Sequence, residues 1–436
     1  MPDWSFDIMS TDYDVIIVGA GPSGSAAAYS LAKNGHQVLI LERGKEPGSK
    51  NVYGGRIYPY SLSKLIPDFA DDAPIERNVT KESIMFMTEN SSFQTNFSSD
   101  HSVNHGFTAF RSKFDSWFAQ KAVEAGAELF PEIKVDDVVF DENNSIIGIK
   151  SGDDEITSKL VIAADGATSI ITKKTGLRNQ FNSEHFSVGI KEVIELPSNV
   201  INDRFCISEN NGAALVCVGF PTNYLRGGAF IYTNKSSISI GLVVKGTDLV
   251  NSKTQVSSLL NNFKNHPDIS CIVNDGKVAE YSAHLVPEAG FNMLPKLFGN
   301  GILVCGDAAG MLLNNGYTFR GVDLAISSGI AAAETFISAK NKNDFSSSSL
   351  SNYEKLLHEH NVLTDIKKFK KGPKYMENQK LYSDYPKLIC NIFESLYNID
   401  GNSQKFVREI IRNSIKNNNI STLGLLLDSI KGANAL

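Results

Sequence analysis

Short, wholly apolar runs alternate with helix-like segments at the start of the chain. Residues 15–18 (VIIV) form the first run, and a small-residue segment, 25–35 (SAAAYSLAKNG), follows and ends at a glycine. A second apolar run, QVLILE, occupies residues 37–42. Strands that are buried on both faces are apolar throughout, so this order predicts a β-strand, α-helix, β-strand unit of a parallel sheet.

Two other patterns occupy the middle of the chain. Residues 83–97 predict a hairpin that turns at Glu89-Asn90, and apolar residues at helical spacing predict a helix over residues 111–126. Across residues 181–245, β-branched and aromatic residues alternate with polar ones. This alternation is typical of antiparallel strands with one buried face.

The parallel-sheet pattern returns near residue 300, where the apolar run ILVC leads into GDAAG at 306–310. A Ser-rich stretch, 345–350, then separates off a C-terminal region that is rich in Lys and Asn. The pattern of that region predicts helices.

Composition argues against three classes of function, namely nucleic-acid binding, membrane spanning and metal binding. The 436 residues carry a formal net charge of −6, which argues against a nucleic-acid-binding face. No secretory signal and no uninterrupted apolar run of about 18–20 residues is visible, so we expect a cytoplasmic protein that lies on a membrane if it touches one. The five cysteines, at 206, 217, 271, 305 and 390, are too far apart for a local metal or cluster site, so we expect no metal.

The first candidate site is GAGPSG, residues 19–24. Gly19 permits a tight turn, Gly21 lets the backbone approach a pyrophosphate, and Gly24 lets helix and strand pack closely. Glu42, at the end of the second strand, is placed to accept hydrogen bonds from both hydroxyls of an adenosine ribose. The strand, glycine turn, helix and acid together predict dinucleotide binding.

Two similar turns follow later in the chain. The apolar run in LVIAADGATS (160–169) ends at Asp165-Gly166, and a third run ends at Gly306-Asp307. An aspartate at the start of a helix can accept hydrogen bonds from a ribityl chain while the helix N–H groups face phosphate.

The three turns, in this order, resemble the FAD-binding fingerprints of the glutathione-reductase-like flavoprotein superfamily. The resemblance implies FAD as the cofactor, with Asp307 on its ribityl chain and Arg111 near its phosphates and ribityl chain. It also implies cofactor contacts from neighbouring residues of the turns and strands, namely Ala20, Pro22, Ser23, Arg43, Val135 and Ala308.

Two further segments indicate where a flavin ring would lie. In residues 48–56 (GSKNVYGGR), Gly54-Gly55 leaves room for a ring and Arg56 follows. In residues 314–329, Gly316, Tyr317 and Thr318 precede a helix expected to begin between residues 318 and 322. A helix N-terminus that faces the ring would stabilise negative charge on it.

These two segments, together with residues 227–244 and 280–310, resemble the electron-transfer-flavoprotein:quinone oxidoreductase family, and most closely its short FixC branch. The resemblance covers roughly residues 12–400. It implies an FAD-dependent oxidoreductase that receives electrons from an electron-transfer flavoprotein, with a quinone as acceptor at the inner face of the cell membrane.

One departure from the long members of that family concerns iron and sulfur. Those members carry a C-terminal ferredoxin-like domain whose cysteines hold a [4Fe–4S] cluster, whereas the last 90 residues here contain only Cys390. In the FixC branch the ferredoxin is a separate small protein, so the resemblance implies such a partner.

The expected fold class is α/β. A Rossmann-like FAD-binding domain of the glutathione reductase type comprises residues 1–80, 106–180 and 296–345. An antiparallel-sheet domain for substrate or quinone comprises 81–105 and 181–295, and a helical C-terminal region comprises 346–436.

Three other functions share parts of this pattern. A geranylgeranyl reductase would saturate isoprenoid lipids, but its aromatic signature is reduced here to Phe220-Pro221. An aromatic-ring hydroxylase shares the Asp-Gly and Gly-Asp turns, and residues 54–56 and 315–321 argue against it. A flavin-free binding module would not require Gly19, Gly21, Gly24, Glu42 and Asp307 together.

Overall fold

The computed structural model describes residues 11–49, 55–99, 106–178, 183–288 and 290–436. The strands are, in chain order, β1 (Tyr13–Val18), β2 (Val38–Leu41), β3 (Arg56–Ile57), β4 (Arg77–Met87), β5 (Ser92–Ser98), β6 (Phe107–Thr108), β7 (Glu128–Phe130), β8 (Asp137–Phe140), β9 (Ile146–Ser151), β10 (Asp154–Ala163), β11 (Phe186–Glu195), β12 (Asn211–Gly219), β13 (Gly227–Thr233), β14 (Ser237–Lys245), β15 (Lys277–Pro287), β16 (Phe298–Gly299), β17 (Ile302–Val304), β18 (Leu313–Asn314) and β19 (Phe319–Arg320).

The α-helices are α1 (Pro22–Lys33), α2 (Tyr60–Leu65), α3 (Arg111–Glu124), α4 (Ile170–Lys174), α5 (Ser198–Phe205), α6 (Gly246–Ser252), α7 (Val256–Asn265), α8 (Pro267–Val273), α9 (Val322–Lys342), α10 (Ser347–Leu350), α11 (Asn352–Glu359), α12 (Val362–Lys368), α13 (Gly372–Tyr375), α14 (Asp384–Tyr397), α15 (Val407–Asn417) and α16 (Thr422–Ala433). Short 3-10 helices include Gly306–Ala309 and Gln379–Leu381.

The first sheet has the strand order β16-β17-β10-β1-β2-β7. Its neighbours from β17 to β7 run parallel, and β8 and β9 continue it through an antiparallel pairing of β9 with β10. The residues of β2 and β17 are all buried, as the wholly apolar runs predict. Helices α1 and α9 pack against each other and fill one core with the sheet.

The second sheet has the order β15-β11-β14-β13-β12-β4-β6-β3, with β5 paired to β4. All of its pairs are antiparallel except β12 with β4, so the antiparallel prediction for this part is confirmed. The sheet also takes in β3 and β6, which the sequence assigns to the FAD-binding domain. Strands of two residues carry no measurable periodicity, so their pairing is invisible in the pattern.

One face of the second sheet is covered by helices. Leu259, Leu260 and Phe263 of α7 are buried against the inward-facing side chains of β11, Ile190 and Ile194. The opposite face of the sheet is turned toward the first sheet.

The C-terminal helices are packed on both domains. Tyr353 of α11 is fully buried in the first core, and its hydroxyl donates to the Val304 carbonyl at 3.0 Å. Phe393 of α14 stacks on Phe93 of β5 with 4.1 Å between ring centroids. The predicted helical C-terminal region is therefore confirmed, and it bridges the two sheets.

Helix α9 is the one helix in the described part of the chain that is long and apolar enough to cross a membrane. Most of its apolar stretch is buried inside the protein, where it forms part of the first core.

A charged cluster ties three elements of the first domain together. Asp14 of β1 accepts hydrogen bonds from Lys159 of β10 and Lys340 of α9, each at 2.8 Å, and from the Gln37 amide at 3.3 Å. Burial alone would raise the pKa of this carboxyl, but these hydrogen bonds lower it to about 2. The ionised carboxylate therefore stabilises the fold at neutral pH.

We expect Asp14→Asn to lower the free energy of unfolding at pH 7 by about 1–2 kcal/mol. The loss is not larger because solvent reaches the two partly exposed lysines and screens part of the interaction. The folded pKa is depressed, so the wild-type advantage is present above about pH 4 and is lost as the pH falls toward 2. Urea unfolding at stepped pH measures this difference, with the exposed Asp153→Asn as control. A constant difference from pH 7 to pH 2 would contradict the assignment.

Candidate functional site

A large cavity of about 1030 Å³ lies between the two sheets and the C-terminal helices. Most of the predicted site residues line it, namely Gly19, Gly21, Pro22, Ser23, Glu42, Arg43, Gly55, Arg56, Arg111, Val135, Asp165, Gly166, Asp307, Gly316, Tyr317 and Thr318. Ala20, Gly24, Gly306 and Ala308 lie in the same turns but do not line the cavity, and Gly54 lies outside the described residues.

The first turn is built by glycines with different tasks. Gly19 has a φ of +103°, and a Cβ there would lie 2.5 Å from the Ala164 carbonyl oxygen. A Cβ at Gly24 would lie 2.0 Å from the Gly19 carbonyl oxygen, so α1 could not reach the strand. At Gly21, in contrast, no atom lies within 4 Å of an added Cβ. The open space beside Gly21, at the N-terminus of α1, fits a phosphate group.

Glu42 is held by the backbone beside this turn. Its Oε2 accepts from the Ala20 amide at 3.0 Å and its Oε1 accepts from the Gly44 amide at 2.6 Å. Each carboxylate oxygen keeps a further lone pair for a ligand hydroxyl.

The second and third turns close around the first. Asp165 accepts from the Ser169 hydroxyl at 2.6 Å and from the Ile171 amide at 3.1 Å, so it caps α4. Gly306 packs against Ser23, where an added Cβ would lie 2.5 Å from the hydroxyl oxygen. Asp307 stands on a four-residue 3-10 helix, whereas the sequence predicts the start of a longer helix, and its carboxylate lines the cavity.

Arg111 lies at the start of α3 and forms a two-pronged ion pair with Asp115, with Nε and Nη2 each 2.8 Å from a carboxylate oxygen. Burial opposes the charge of the guanidinium, but the charge and hydrogen bonds of Asp115 outweigh it and raise the pKa of Arg111. Arg111 is thus a permanent positive charge, fixed in direction, on the cavity wall.

The segment predicted to face the flavin ring forms a tight ribbon. Gly316, Tyr317 and Thr318 connect β18 to β19, and α9 begins at Val322, inside the expected range for this helix. The Thr318 amide and hydroxyl both donate to Asn315 Oδ1 at 2.8 Å, which fixes the turn.

The cavity face of the second sheet follows from its register. Cross-strand partners share a face, so one row across the sheet contains Glu82, Tyr232, Ser239 and Glu280, with Ala214 and Val193 between them. We call it the polar row. This polar row lies beside the predicted flavin segment, since a Cβ at Gly55 would lie 3.6 Å from the Tyr232 ring.

The next two rows of the same face are apolar over β4, β12, β13 and β14. We call them the apolar patch, and its residues are Ile84, Phe86, Val216, Val218, Phe230 and Val243. The rows become polar again at the edge of the sheet, where Lys191, Ser282 and His284 lie on β11 and β15. Leu381, Tyr382 and Leu436 from the C-terminal region line the opposite wall of the cavity.

Several residues of the site were missed or given little weight by sequence reasoning. His284 was not among the predicted site residues, yet it lines the cavity, and burial lowers its pKa although the nearby Asp307 partly offsets this. Glu82 forms a two-pronged ion pair with Arg56 from a different strand. Asp115 follows Arg111 by one helical turn, and this spacing is the one signal that sequence reasoning could have used.

The chemistry of these groups fits a dinucleotide at one end of the cavity. The open space at Gly21, the carboxylates of Glu42 and Asp307 and the cation of Arg111 suit phosphate and sugar hydroxyls. The Tyr58 hydroxyl is buried and has no hydrogen-bond partner among the described residues, although the Arg56 guanidinium lies 4.7 Å from its ring centroid. A buried polar atom of this kind indicates that a ligand completes the site.

Three family models match the chain. They are an FAD binding domain over residues 12–215, a ubiquinone-binding domain of the electron-transfer-flavoprotein:quinone oxidoreductase type over 186–286, and the C-terminal domain of the ETF-QO/FixC family over 372–436.

Two relatives from Escherichia coli K12 match over nearly the whole chain. Protein FixC is 43% identical over 433 residues, which is 98% of this chain and 100% of FixC. The probable electron transfer flavoprotein-quinone oxidoreductase YdiS is 44% identical over 432 residues, again 98% and 100% of the two chains.

Solved structures share the fold at low identity. A geranylgeranyl bacteriochlorophyll reductase-like protein from Thermoplasma acidophilum has a TM-score of 0.70 at 22% identity and covers 92% of this chain and 95% of its own. The halogenase PltM in complex with phloroglucinol and FAD has a TM-score of 0.64 at 16% identity, with coverages of 96% and 86%. At these identities the likeness shows the fold alone, so it does not revive the geranylgeranyl reductase alternative.

The full-length identity to FixC and the three matched domains agree with the fold and with the cavity. The predictions of the family, of FAD as cofactor and of an electron-transfer oxidoreductase are confirmed. The chain is a member of the ETF-QO/FixC family of FAD-dependent oxidoreductases.

Proposed function

We propose that the residues of the three turns hold FAD in an extended form along the edge of the first sheet. Gly21 and the N-terminus of α1 face the pyrophosphate, Glu42 accepts from the adenosine ribose, and Asp307 accepts from the ribityl chain. Arg111 neutralises phosphate charge. The support is that all of these groups line one end of one cavity.

We place the flavin ring between Gly55 and the β18–β19 ribbon, against the polar row of the second sheet. Bound FAD supplies acceptance of two electrons and their release one at a time. The chain's own contribution is to orient the ring, through the Arg56–Glu82 ion pair and the Tyr58 hydroxyl, and to exclude water.

The electrons come from an electron-transfer flavoprotein and pass to a quinone. The observation that carries this proposal is the apolar patch, because it directly adjoins the proposed ring position on the same sheet face. A quinone ring and the start of its isoprenoid tail are apolar, and burying them on this patch is favourable by about 25 cal/mol per Å². The matched ubiquinone-binding domain spans most of the strands that form this face.

A separate, small ferredoxin is the proposed partner that supplies the iron–sulfur centre. Helix α16 presents Leu423, Leu426, Leu427 and Ile430 at i, i+3, i+4 and i+7, and these side chains are 46–65% exposed. We call these four residues the α16 stripe. An amphipathic helix normally buries such a stripe, so it suits a partner protein.

We further propose that the protein works in the cytoplasm, in peripheral contact with the inner face of the cell membrane. A quinone with a long tail is confined to the bilayer, so its ring reaches the cavity only if the protein lies on the surface of the membrane.

The proposed cofactor contacts predict that Gly21→Ala folds normally and loses FAD. Its backbone φ and the open space around it accept a methyl group, but that methyl group takes the place of a phosphate. Asp307→Ala should weaken FAD binding by roughly 10- to 100-fold, since a charge-assisted hydrogen bond is lost. Flavin content after dialysis and melting of the apoprotein measure the two effects separately. Full occupancy in both variants would refute the placement.

The proposed electron path predicts that reduced electron-transfer flavoprotein, and neither NADH nor NADPH, bleaches the bound flavin anaerobically. Adding a short-chain quinone should restore the oxidised spectrum. If NADPH reduced the flavin efficiently and electron-transfer flavoprotein did not, the proposed function would be wrong. The geranylgeranyl reductase or aromatic-ring hydroxylase alternative would then be favoured.

The proposed partner predicts that a double change, Leu426→Glu with Leu427→Glu, abolishes the stimulation of turnover by the ferredoxin. Two charged side chains at the centre of an apolar interface should weaken docking by at least about 30-fold. Reduction by electron-transfer flavoprotein alone should be unchanged. Val250→Glu, at an exposed apolar residue of α6, is the matched control. Full quinone turnover without any ferredoxin would remove the need for this partner.

A further inference from the structure

Beyond the apolar patch, the cavity ends in a small polar group that the FAD site does not use. Glu288 directly follows β15 and lines the cavity, and Ser187 of β11 and Asn314 of β18 both contact its carboxyl. Ser187 pairs with Lys245 across the sheet, so Lys245 lies in the same row.

Along β14, the register places this group on the far side of the patch from Gly55 and the polar row. Ser239 belongs to the polar row beside Gly55, and Lys245 is six residues further along β14, or about 20 Å. The apolar patch occupies the rows between them. A ring bound on the patch therefore lies between the Gly55 side of the cavity and Glu288.

The hydrogen bonds that Glu288 accepts are compatible with the loss of a proton from its carboxyl. The Ser187 hydroxyl donates to Oε2, and the Asn314 amide nitrogen donates to Oε1 at 3.4 Å. Glu288 is half-buried and lines the cavity. Both donors would stabilise the ionised form once a proton has left.

The charged and titratable groups around Glu288 come from each neighbouring element. The positive charge of Lys245 on β14 acts on Glu288, and Tyr382 of the C-terminal region lies within electrostatic reach of it. The backbone of His185 accepts from the Glu288 amide at 2.8 Å, and the Arg226–Asp248 ion pair lies beyond Tyr382. Burial raises the pKa of Glu288, and Ser187 and Lys245 only partly offset this. The carboxyl thus holds a proton at a higher pH than an exposed glutamate does.

We propose that Glu288 donates one of the two protons that the acceptor quinone takes up on reduction. Quinone plus two electrons plus two protons gives quinol: the electrons come from the reduced cofactor, one proton from the Glu288 O–H and the other from solvent. The Glu288 O–H bond breaks, a quinol O–H bond forms, and the carboxylate regains its proton from solvent. This inference rests on the proposed quinone acceptor.

The test compares two oxidants of the pre-reduced protein in a stopped-flow instrument at pH 6–9. A short-chain quinone needs protons, whereas ferricyanide takes single electrons and needs none. We expect Glu288→Gln to slow oxidation by the quinone by about 100-fold and to flatten its pH profile, in line with the usual contribution of a general acid. Oxidation by ferricyanide should stay within about twofold of the wild type, a margin far below that contribution. Glu288→Asp should recover part of the quinone rate.

Glu377→Gln is the matched control, because Glu377 is an exposed carboxyl that lines the same cavity. It should leave both rates and both pH profiles unchanged. If Glu288→Gln oxidises with the quinone at the wild-type rate and pH profile, Glu288 is not the donor although quinone remains the acceptor. If no quinone oxidises the wild type while ferricyanide does, the proposed acceptor fails and the role of Glu288 fails with it.

Melting of the apoprotein gives a readout that does not depend on turnover. A carboxyl whose folded pKa is raised stabilises the protein fully below its unfolded pKa, and this stability is lost as the pH rises through the folded value. Between pH 6 and pH 9, the melting temperature of the wild type should therefore fall relative to that of Glu288→Gln. Parallel curves would show that the folded carboxyl is already ionised, which would overturn the proposal.

Discussion

The contact of three turns through their glycines is the constraint on which the rest of the site depends. A Cβ at Gly19 would strike the second turn at Ala164, and a Cβ at Gly306 would strike the first turn at Ser23. Gly329 removes the same obstacle between α9 and α1, since its Cβ would lie 2.2 Å from the Ser23 carbonyl oxygen. Segments that are more than a hundred residues apart in sequence therefore share one edge of the sheet. Backbone amides and the ends of two helices meet there, and charged phosphates are stabilised where such groups converge.

The strand register of the second sheet decides which side chains face the cavity. A shift of one residue in any strand would turn the polar row and the apolar patch away from the cavity. The pairing of β12 with β4 is parallel, and the hairpins β4–β5 and β13–β14 flank it, so the central strands are held from both sides. Arg77 of β4 also stabilises this arrangement. Its buried guanidinium donates to the Asn234 and Asn211 carbonyls and to the Asn202 side chain, at distances of 2.6–2.9 Å. On the resulting face, the polar row, which we propose contacts the cofactor, adjoins the apolar patch.

Local patterns predicted the parts of this structure that local chemistry determines. GAGPSG, the apolar strands and the alternation in residues 181–245 act within a few residues, and the corresponding elements appear where they were expected. The parts that were not predicted depend on long-range register. Glu288 meets Asn314 because β15 ends beside the β18–β19 ribbon, and Arg56 meets Glu82 because β3 joins the second sheet through β6. The 3-10 helix at Asp307 differs from the predicted helix start because Gly310 adopts a φ of +70° and ends it after one turn.

The C-terminal region completes the cavity, and it also carries the α16 stripe, the surface that we propose for the ferredoxin. Leu436 contacts Gly316 and lies on the cavity wall, and its carbonyl accepts from the Tyr317 hydroxyl at 3.3 Å. Ile430, in the α16 stripe, precedes Leu436 by six residues, and α16 ends between them at Ala433. Gly432 is packed so closely on Tyr375 that α16 has no room to slide on α13. A ferredoxin docked on the stripe, as proposed, would therefore be held close to the ribbon that flanks the proposed flavin position. Rapid passage of single electrons between two centres requires a fixed and short separation, and docking at this site would satisfy that requirement.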